Sequence, residues 1–371
     1  MNGKIRVMTV FGTRPETIKM APLVKELKSR EEIQTIVCVT AQHRQMLDQV
    51  LHAFEIVPDY DLDIMKQGQT LSDITSRVLC GLEAVIKKEQ PDIILVHGDT
   101  TTTFSGALAA FYNQVAIGHV EAGLRTYNKY SPYPEEMNRQ MVGAMADLHF
   151  APTQQSKENL LREGKPEKDI VVTGNTAIDA LKTTVRKDYQ SELLDWAEGS
   201  RLIVLTAHRR ENLGEPMRRM FSAIKRAIEK YDDVKMVYPV HLNPLVQQAA
   251  EEVFGNSDRI RLVEPMEVVD FHNLLSRSYL ILTDSGGIQE EAPSLHKPVI
   301  VLRDTTERPE GVEAGTLKLA GTDEDTIFGL VDELLSDPLE YQRMSQAENP
   351  YGDGLASKRI VDTIIERFQK S

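Results

Sequence analysis

Short apolar runs rich in β-branched residues recur along the chain, with helical segments between them. Apolar runs without alternation indicate strands of parallel sheets that helices cover on both faces. A first series comprises residues 4–10, 35–40, 92–98, 114–120, 147–153 and 169–174. A second series comprises residues 201–207, 234–240, 259–265, 278–284 and 297–302. The pattern therefore predicts an α/β protein with two doubly wound domains.

The length of 371 residues fits two domains of this size. We expect the division within residues 165–200 and place it after residue 168, which gives domains of residues 1–168 and 169–354. The last segment, 355–371, has apolar residues at helical spacing and predicts an amphipathic helix.

Composition narrows the classes of function. The formal net charge of −13 opposes nucleic-acid binding, which needs clustered Lys and Arg, but an anionic small ligand fits a local site of arginines and helix N-termini. The apolar runs fall far short of the roughly 20 residues that span a bilayer, and no signal peptide is recognisable, so we expect a cytoplasmic protein. Cys38 and Cys80 are too few for a disulfide framework or zinc site, and we expect both to be buried.

Ligands of open α/β sheets bind beyond the carboxyl ends of the strands, where this chain carries unusual polar residues. Arg14 and Lys19 follow the first strand, and because an arginine is unfavourable at a helix N-terminus, a ligand explains Arg14 better than a surface pair with Glu16. Asp99 follows the third strand, and both a helix N-cap and a functional carboxylate fit this position.

The next predicted strand leads into a long polar loop and a helix. Their notable residues are His119, Glu121, Arg125, Glu135, Glu136 and Arg139. A solvated turn with salt bridges would also carry such residues. The length of the loop favours a binding role.

The second series carries donors at its strand ends. His208 stands beside two arginines in the segment 208–212, which favours an anion-facing donor. After the strand 278–284, Ser285 can cap a helix while Gly286 and Gly287 let the backbone approach a phosphate. The glycine pair lacks the GxGxxG spacing and the P-loop lysine, so neither NAD binding nor NTP hydrolysis is indicated.

Two further residues complete this edge. Glu291 lies one turn into the helix, at a reach suited to sugar hydroxyls, and Arg308 follows the last strand, from which we expect it to reach a phosphate. The Asp-x-Asp of residues 61–63 lies among polar loop residues, and zinc-ligand spacing is absent from the sequence. We expect arginines and a helix dipole in place of a metal, and no cofactor.

Seven ordered motifs resemble those of the non-hydrolysing bacterial UDP-N-acetylglucosamine (UDP-GlcNAc) 2-epimerases. They are FGTRPE (11–16), HGDTTT (97–102), HVEAGLR (119–125), PEEMNR (134–139), TAHRREN (206–212), TDSGGIQEEAPS (283–294) and RDTTERPE (303–310). The resemblance implies a GT-B type fold of two Rossmann-like domains with an interdomain cleft. It also implies a UDP-binding C-terminal domain, a homodimer, and a helix at 355–371 that completes the first domain.

Site residues follow from the resemblance position by position. It implies UDP contacts at Arg14, Lys19, Met266, Phe271, Ser285, Gly286, Gly287, Glu291 and Arg308. Among these, Phe271 suits uracil and Glu291 the ribose. The implied catalytic residues are Asp99, Glu121, Glu135 and His208. A second UDP-GlcNAc, acting as an allosteric activator, is implied at Gln42, His43, Gln69, Glu135 and His241, although Gly68 replaces a basic residue of the pattern.

The implied reaction is reversible epimerisation at C2, which gives UDP-N-acetylmannosamine (UDP-ManNAc) for cell-envelope polysaccharide precursors. The C2 hydrogen is not adjacent to a carbonyl, so the C1–O bond to UDP has to break first, and loss of the C2 proton then leaves 2-acetamidoglucal. This route needs stabilisation of the departing diphosphate and proton-handling groups on both faces of C2. The alternatives are a GT-B glycosyltransferase, which needs an acceptor groove and one base, and a catalytically inactive UDP-sugar sensor.

Overall fold

The computed structural model describes residues 3–41, 44–66, 68–209, 212–306 and 308–369. These residues form two compact units. None of the described helices is long and apolar enough to cross a bilayer.

Unit 1 runs to Thr183 and resumes at Tyr351. Its strands are β1 (Ile5–Phe11), β2 (Ile33–Val39), β3 (Tyr60–Asp61), β4 (Ile93–His97), β5 (Ala116–Val120), β6 (Leu148–Ala151) and β7 (Ile170–Val172). Its helices before the return are α1 (Arg14–Lys28), α2 (Arg44–Ala53), α3 (Leu71–Glu89), α4 (Thr101–Tyr112), α5 (Glu135–Met145), α6 (Gln154–Arg162) and α7 (Thr176–Thr184), with a 3-10 turn at Glu167–Asp169.

Unit 2 runs from Thr184 to Pro350. Its strands are β8 (Arg201–Thr206), β9 (Val234–Pro239), β10 (Ile260–Val263), β11 (Leu280–Thr283), β12 (Val299–Val301) and β13 (Leu317–Leu319). Its helices are α8 (Glu192–Ala197), α9 (Glu215–Lys230), α10 (Pro244–Phe254), α11 (Val268–Arg277), α12 (Gly286–Ser294), α13 (Pro309–Glu313), α14 (Glu324–Ser336) and α15 (Pro338–Ser345). The last helix, α16 (Ala356–Gln369), packs against α1 in unit 1 through a buried face that includes Ile360 and Ile364.

Each unit is built on a sheet of parallel strands. The strand orders are β3-β2-β1-β4-β5-β6-β7 in unit 1 and β10-β9-β8-β11-β12-β13 in unit 2. The order reverses between β1 and β4 and between β8 and β11, and at such a switch point a crevice forms at the carboxyl ends of the strands. The prediction of two parallel-sheet α/β domains is confirmed.

The central strands are present where they were predicted, because they are buried on both faces and their apolar runs are therefore continuous. All residues of β4 are buried, as the continuous apolar run predicted. The short edge strands β3 and β13 were not predicted, because two or three residues give too little pattern to recognise. Cys38 lies buried in β2, where desolvation raises the pKa of its thiol to about 12. The expectation for Cys80 was wrong: it is exposed, because α3 turns Val78 and Leu82 toward the core and Cys80 toward solvent.

The unit boundaries also differ from the expected ones. The expected boundary after residue 168 falls before β7, but β7 pairs with β6 and so belongs to the sheet of unit 1. The chain leaves unit 1 after Thr183 and returns to it at Tyr351, slightly before the expected return at residue 355. Pairing with the sheet, rather than the polar composition of the 165–200 segment, decides where the unit ends.

Candidate active site

In unit 1, the β1–α1 turn is held by Glu16, which is buried. Its Oε2 accepts from the backbone N–H groups of Gly12 and Thr13 at 3.1 and 2.8 Å, which forms a capping box at the start of α1. Its Oε1 accepts from the hydroxyls of Thr100 and Thr103 at 2.6 and 3.1 Å. Glu16 therefore ties the start of α1 to the start of α4. Both carboxylate oxygens of Glu16 are thus engaged in hydrogen bonds that hold these helix starts.

Glu121 is the first residue after β5, and its backbone is left-handed with φ of 65°. Lys19, on α1, forms a salt bridge with Glu121 Oε2. Asn175 Nδ2 donates to the same oxygen at 2.9 Å, and His97 Nε2 lies 3.8 Å from it. The Glu121 side chain is only 9% exposed, so these contacts replace most of its hydration. The structure thus brings together Lys19 and Glu121, two predicted site residues, while Arg14 is the half-buried first residue of α1.

Asp99 lies just after β4, between the strand and α4. Thr100, not Asp99, caps α4, because the Thr100 side chain accepts the N–H of Thr103. Asp99 instead pairs with Arg139 of α5, whose Nη2 lies 2.7 Å from Asp99 Oδ2. The amide of Asn138 donates to the Asp99 carbonyl oxygen at 2.8 Å. Of the two alternatives that the sequence left open, the N-cap is therefore excluded.

The electrostatics of Asp99 favour proton uptake near neutral pH. Burial raises the pKa of Asp99 to about 6, against the lowering effect of the Arg139 guanidinium. The negative charges of Glu121 and Glu135 act in the same direction as burial. A carboxyl group with a pKa in this range exchanges protons at neutral pH, as a general acid or base does.

The histidines behind this site are neutral. Burial lowers the pKa of His97 to about 4 and that of His119 to about 3. His119 Nε2 donates to the carbonyl oxygen of Gly98 at 2.7 Å. His119 thus supports the turn that presents Asp99 and has a structural role.

The Pro-rich loop before α5 is anchored by Glu136. Its carboxylate accepts from the backbone N–H groups of Thr126 and Tyr127, both at 3.0 Å, and from the side chain of Gln140 at 2.7 Å. Glu135, the first residue of α5, is half-buried. One acid thus fixes the loop while its neighbour stands at the helix start, close enough for its charge to raise the pKa of Asp99.

Arg125 forms a salt bridge, as expected from the alternative in which the charged residues of this loop have a structural role. Its Nε and Nη2 donate to the two carboxylate oxygens of Glu163 at 2.7 and 2.8 Å. This bidentate pair links the β5–α5 loop to the end of α6. Arg125 is thereby engaged in structure and is not placed with Asp99 and Glu121.

In unit 2, Asp284 organises the end of β8. It is fully buried, and its Oδ2 accepts from the backbone N–H groups of His208 and Arg209 at 2.7 and 2.8 Å. Its Oδ1 lies 3.3 Å from His208 Nδ1, and the imidazole stacks on the ring of His241 with centroids 5.4 Å apart. Burial lowers the pKa of His208, although Asp284 opposes this shift. Asp284 therefore orients the His208 imidazole, with Nδ1 facing the carboxylate and Nε2 facing away from it.

The glycine turn at the start of α12 lies against a guanidinium. Ser285 is the N-cap residue, and its side chain makes no capping hydrogen bond to the helix. A Cβ on Gly286 would lie 2.6 Å from Arg308 Nη1, so a side chain at this position requires the guanidinium to shift. Arg308 Nε in turn donates to Glu290 at 2.6 Å. The positive end of the helix dipole and a held arginine together form a place for an anion.

The remaining predicted UDP residues of unit 2 lie near α11 and α12. Glu291 Oε2 lies 3.5 Å from His272 Nε2, and His272 Nδ1 lies 2.8 Å from Thr184 Oγ1. Met266 and Phe271 are half-buried beside the apolar core between α11 and β11. The side chains of Glu291, Met266 and Phe271 are each partly exposed and thus accessible to a ligand.

Some residues that the sequence predicted for the site lie apart from these clusters or outside the described residues. Gln42 and His43 fall outside the described residues, as do Arg210, Glu211 and Glu307. Gln69 accepts from the backbone N–H of Lys66 at 3.1 Å. Among the residues described, no group of three or more His, Cys, Asp or Glu could hold a metal ion. Asp61 instead accepts the backbone N–H of Asp63, within the Asp-x-Asp segment.

Sequence reasoning missed four residues of these networks. They are His97, Asn175, Asp284 and Glu290. Three of the four carry the same signal as the residues that were found, because His97 ends β4, Asn175 follows β7 and Asp284 follows β11. Reading every strand end, rather than only those with several charges, would have found these three.

Comparison with known proteins decides the family. The family model described as "UDP-N-acetylglucosamine 2-epimerase" matches residues 25–365. The chain belongs to the UDP-N-acetylglucosamine 2-epimerase family. It is therefore an isomerase, and the resemblance of its motifs to this family is confirmed.

Individual members of the epimerase family cover nearly the whole chain. The UDP-N-acetylglucosamine 2-epimerase of Bacillus subtilis (strain 168) is 67% identical over 365 residues, which are 98% of this chain and 96% of the relative. The crystal structure of the Neisseria meningitidis epimerase bound to UDP-GlcNAc is 50% identical with a TM-score of 0.88, covering 98% of this chain and 100% of that one. The Methanocaldococcus jannaschii epimerase in complex with UDP-GlcNAc and UDP is 33% identical with a TM-score of 0.79, at the same coverage.

Proposed function

We propose that this protein interconverts UDP-GlcNAc and UDP-ManNAc without hydrolysing them. In the proposed route, UDP is eliminated to give bound 2-acetamidoglucal and is then added back after a proton has reached the opposite face of C2. The observation that carries the proposal is the pairing of two acids in unit 1, Asp99 with Arg139 and Glu121 with Lys19. Membership of the epimerase family and the UDP-GlcNAc bound to the N. meningitidis epimerase support the choice of substrate.

The first step breaks the C1–O bond, and the electron pair leaves with the β-phosphate oxygen, so the diphosphate gains one negative charge that has to be stabilised. The groups that we assign to this task are the N–H groups at the start of α12, Arg308 and the imidazole of His208, which donates from Nε2 when it is protonated. Donors that are held in place before the reaction need no reorganisation when the charge develops, and losing one such donor typically costs about 10²–10³ in rate. Arg14 is the further cation that we assign to the diphosphate.

The second step moves the C2 proton. We assign this chemistry to Asp99, Glu121 and Glu135, without allotting a face of C2 to any one of them. Asp99, whose pKa is about 6, can both give and take a proton near neutrality. Lys19 forms an ion pair with Glu121 and is also an expected contact of UDP.

The remaining UDP contacts follow their chemistry. Phe271 and Met266 offer half-buried apolar surface for the uracil ring, and Glu291 offers a carboxylate for the ribose hydroxyls. The turn of Ser285, Gly286 and Gly287 lets the diphosphate approach the backbone closely. Retention of the glucal intermediate also requires that water be kept from it, since water capture would turn the isomerase into a hydrolase.

We also propose that a second UDP-GlcNAc acts as an activator. The assigned residues are Gln42, His43, Gln69, Glu135 and His241. The stack of His241 on His208 supports the proposal, because it joins an expected activator residue directly to an expected catalytic one. A homodimer, a cytoplasmic location and a role in cell-envelope polysaccharide synthesis complete the proposal, on the resemblance alone.

Incubation of the purified protein with UDP-GlcNAc in D₂O tests the function. We expect NMR to show deuterium at C2 of both UDP-GlcNAc and UDP-ManNAc, without any acceptor sugar. An Asp99→Asn variant is the control and should incorporate far less. Absence of deuterium at C2 in the wild-type reaction, or release of free sugar as the main product, would contradict the proposal.

A further inference from the structure

Glu121 is held in a backbone conformation that a residue with a side chain rarely adopts. Its φ of 65° places it in the left-handed region. Such a conformation persists only where surrounding contacts enforce it, and it is concentrated at functional sites. The direction of the Glu121 carboxylate therefore depends on the groups that hold it.

One of these groups, Asn175, is uncharged and has a fixed orientation. Its Oδ1 accepts the backbone N–H of Ala177 at 2.9 Å at the start of α7, so its Nδ2 has to be the atom that faces Glu121. That Nδ2 donates to Glu121 Oε2 at 2.9 Å. The amide thus spans from a helix start to the carboxylate, and rotation of the side chain would break both hydrogen bonds.

The turn that carries Asn175 is fixed by the segment through which the chain returns to unit 1. The backbone N–H of Asn175 donates to the carbonyl oxygen of Tyr351 at 2.8 Å, and Tyr351 is buried. Gly174 and Gly352 are in close backbone contact, since a Cβ on Gly352 would lie 3.0 Å from the Gly174 Cα. The return segment therefore sets the position of Asn175 relative to Glu121.

We propose that Asn175 is a positioning residue for Glu121, and that the Tyr351–Gly352 segment fixes it in this role. The inference rests on the proposed function, because it assigns Asn175 to the proton transfer at C2. Asn175 acts through the carboxylate and needs no contact with the sugar. The charged and titratable neighbours of Glu121 include Lys19, His97 and Asp99.

Asn175→Asp replaces the donor that faces Glu121 by a charged acceptor. It keeps the shape and the oxygen that accepts from Ala177, but it sets an oxygen against Glu121 Oε2 in place of the N–H group. We expect kcat to fall about 10–100-fold with KM changed less than about threefold, since a small misplacement of a reacting group can cost about 10² in rate. With UDP-GlcNAc deuterated at C2, we expect a larger isotope effect on kcat than in the wild type. Asn175→Ser, which keeps a capping oxygen but adds no charge, should shift both quantities in the same direction.

The control is Asp337→Asn, which makes the reverse exchange at the N-cap of α15 in unit 2 and keeps the capping oxygen for Leu339. It should match the wild type in kcat and isotope effect. Three outcomes would each overturn this inference and leave the proposed function standing. They are a wild-type kcat in Asn175→Asp, a loss of kcat with an unchanged isotope effect, and failure of both Asn175 variants to fold. A wild-type protein without C2 exchange would overturn the proposed function and this inference with it.

Discussion

Unit 1 and unit 2 carry polar side chains at the same topological place, the carboxyl ends of the strands beside the point where strand order reverses. In unit 1 the proposed functional role falls to acids: Asp99 and Glu121 are each held by a cation. In unit 2 the roles are exchanged, because the acids Asp284 and Glu290 are buried and hold His208 and Arg308. The fold supplies the location, and we propose that the order of acid and base in each pair decides whether the location handles protons or anions.

The Asp99 and Asp284 carboxylates also differ in what their surroundings let them do. Around Asp99, burial and the opposing guanidinium leave a pKa near 6, so the group can change its protonation state. Around Asp284, two backbone N–H groups fix the carboxylate, and its task is to aim a neighbouring ring. Substitutions in the two units should therefore separate chemistry from UDP binding.

The largest effect is expected for Glu121→Gln. The substitution keeps the shape but removes the charge and the ability to take a proton, so we expect turnover to fall about 10³-fold. The measurement is the rate of deuterium incorporation at C2. Calorimetric titration with UDP should give an affinity within about threefold of the wild type, because the residues assigned to UDP in unit 2 are intact. A loss of tenfold or less would place the chemistry elsewhere.

Gly286→Ala should instead weaken the binding of UDP. The new Cβ would lie 2.6 Å from Arg308 Nη1, so the guanidinium has to shift, and we expect this shift to disturb its hydrogen bond to Glu290. Crowding of this kind costs about 1–3 kcal/mol, which corresponds to about 10–100-fold in UDP affinity. Gly329→Ala in α14 is the matched control, since the described structure has no neighbouring atom within 4 Å of its Cβ. Equal UDP affinity in the two variants would refute the placement of the diphosphate.

The next effect is the pH dependence of kcat/KM, which Asp99 of unit 1 should determine. Asp99 is ionised above its pKa of about 6 and pairs with Arg139 in that state. As pH falls through about 6, the carboxylate takes up a proton and the ion pair is lost, so we expect kcat/KM to fall in the same range. In Asp99→Asn the residual kcat/KM should lack this inflection. An inflection that survives in Asp99→Asn would assign it to another group.

The smallest effect on turnover is expected for Glu163→Gln. Arg125 is paired with Glu163 outside the Asp99 and Glu121 cluster, so kcat should stay within about twofold of the wild type. Loss of one charged hydrogen bond should lower the free energy of unfolding by about 1–3 kcal/mol, measurable by urea denaturation. A large loss of kcat in a protein of normal stability would move Arg125 into the catalytic set.

The sequence predicted the places of the candidate site well and its pairings poorly. Strand runs and the rule that ligands bind at strand ends located Asp99, Glu121, His208 and Ser285. The partners of these residues come from distant positions in the chain, as Lys19 does for Glu121, and local pattern carries no information about such contacts.

Two ambiguities have local physical causes. Asp99 and Thr100 are both good N-cap residues, and only the hydrogen bond to Thr103 shows which one caps α4. Cys80 lies in an apolar segment, but the phase of α3 against its sheet decides which residues are buried. One residue of rotation separates Leu79, which packs on the core, from the exposed Cys80.

The return of the chain to unit 1 has a consequence for biosynthesis. Unit 2 is one continuous stretch, so its core can close as soon as that stretch has left the ribosome. Unit 1 lacks α16, which packs on α1, until the segment after Pro350 has been made. Because that segment also fixes Asn175, the proposed proton-transfer residues should reach their working geometry after the proposed UDP-binding unit has formed.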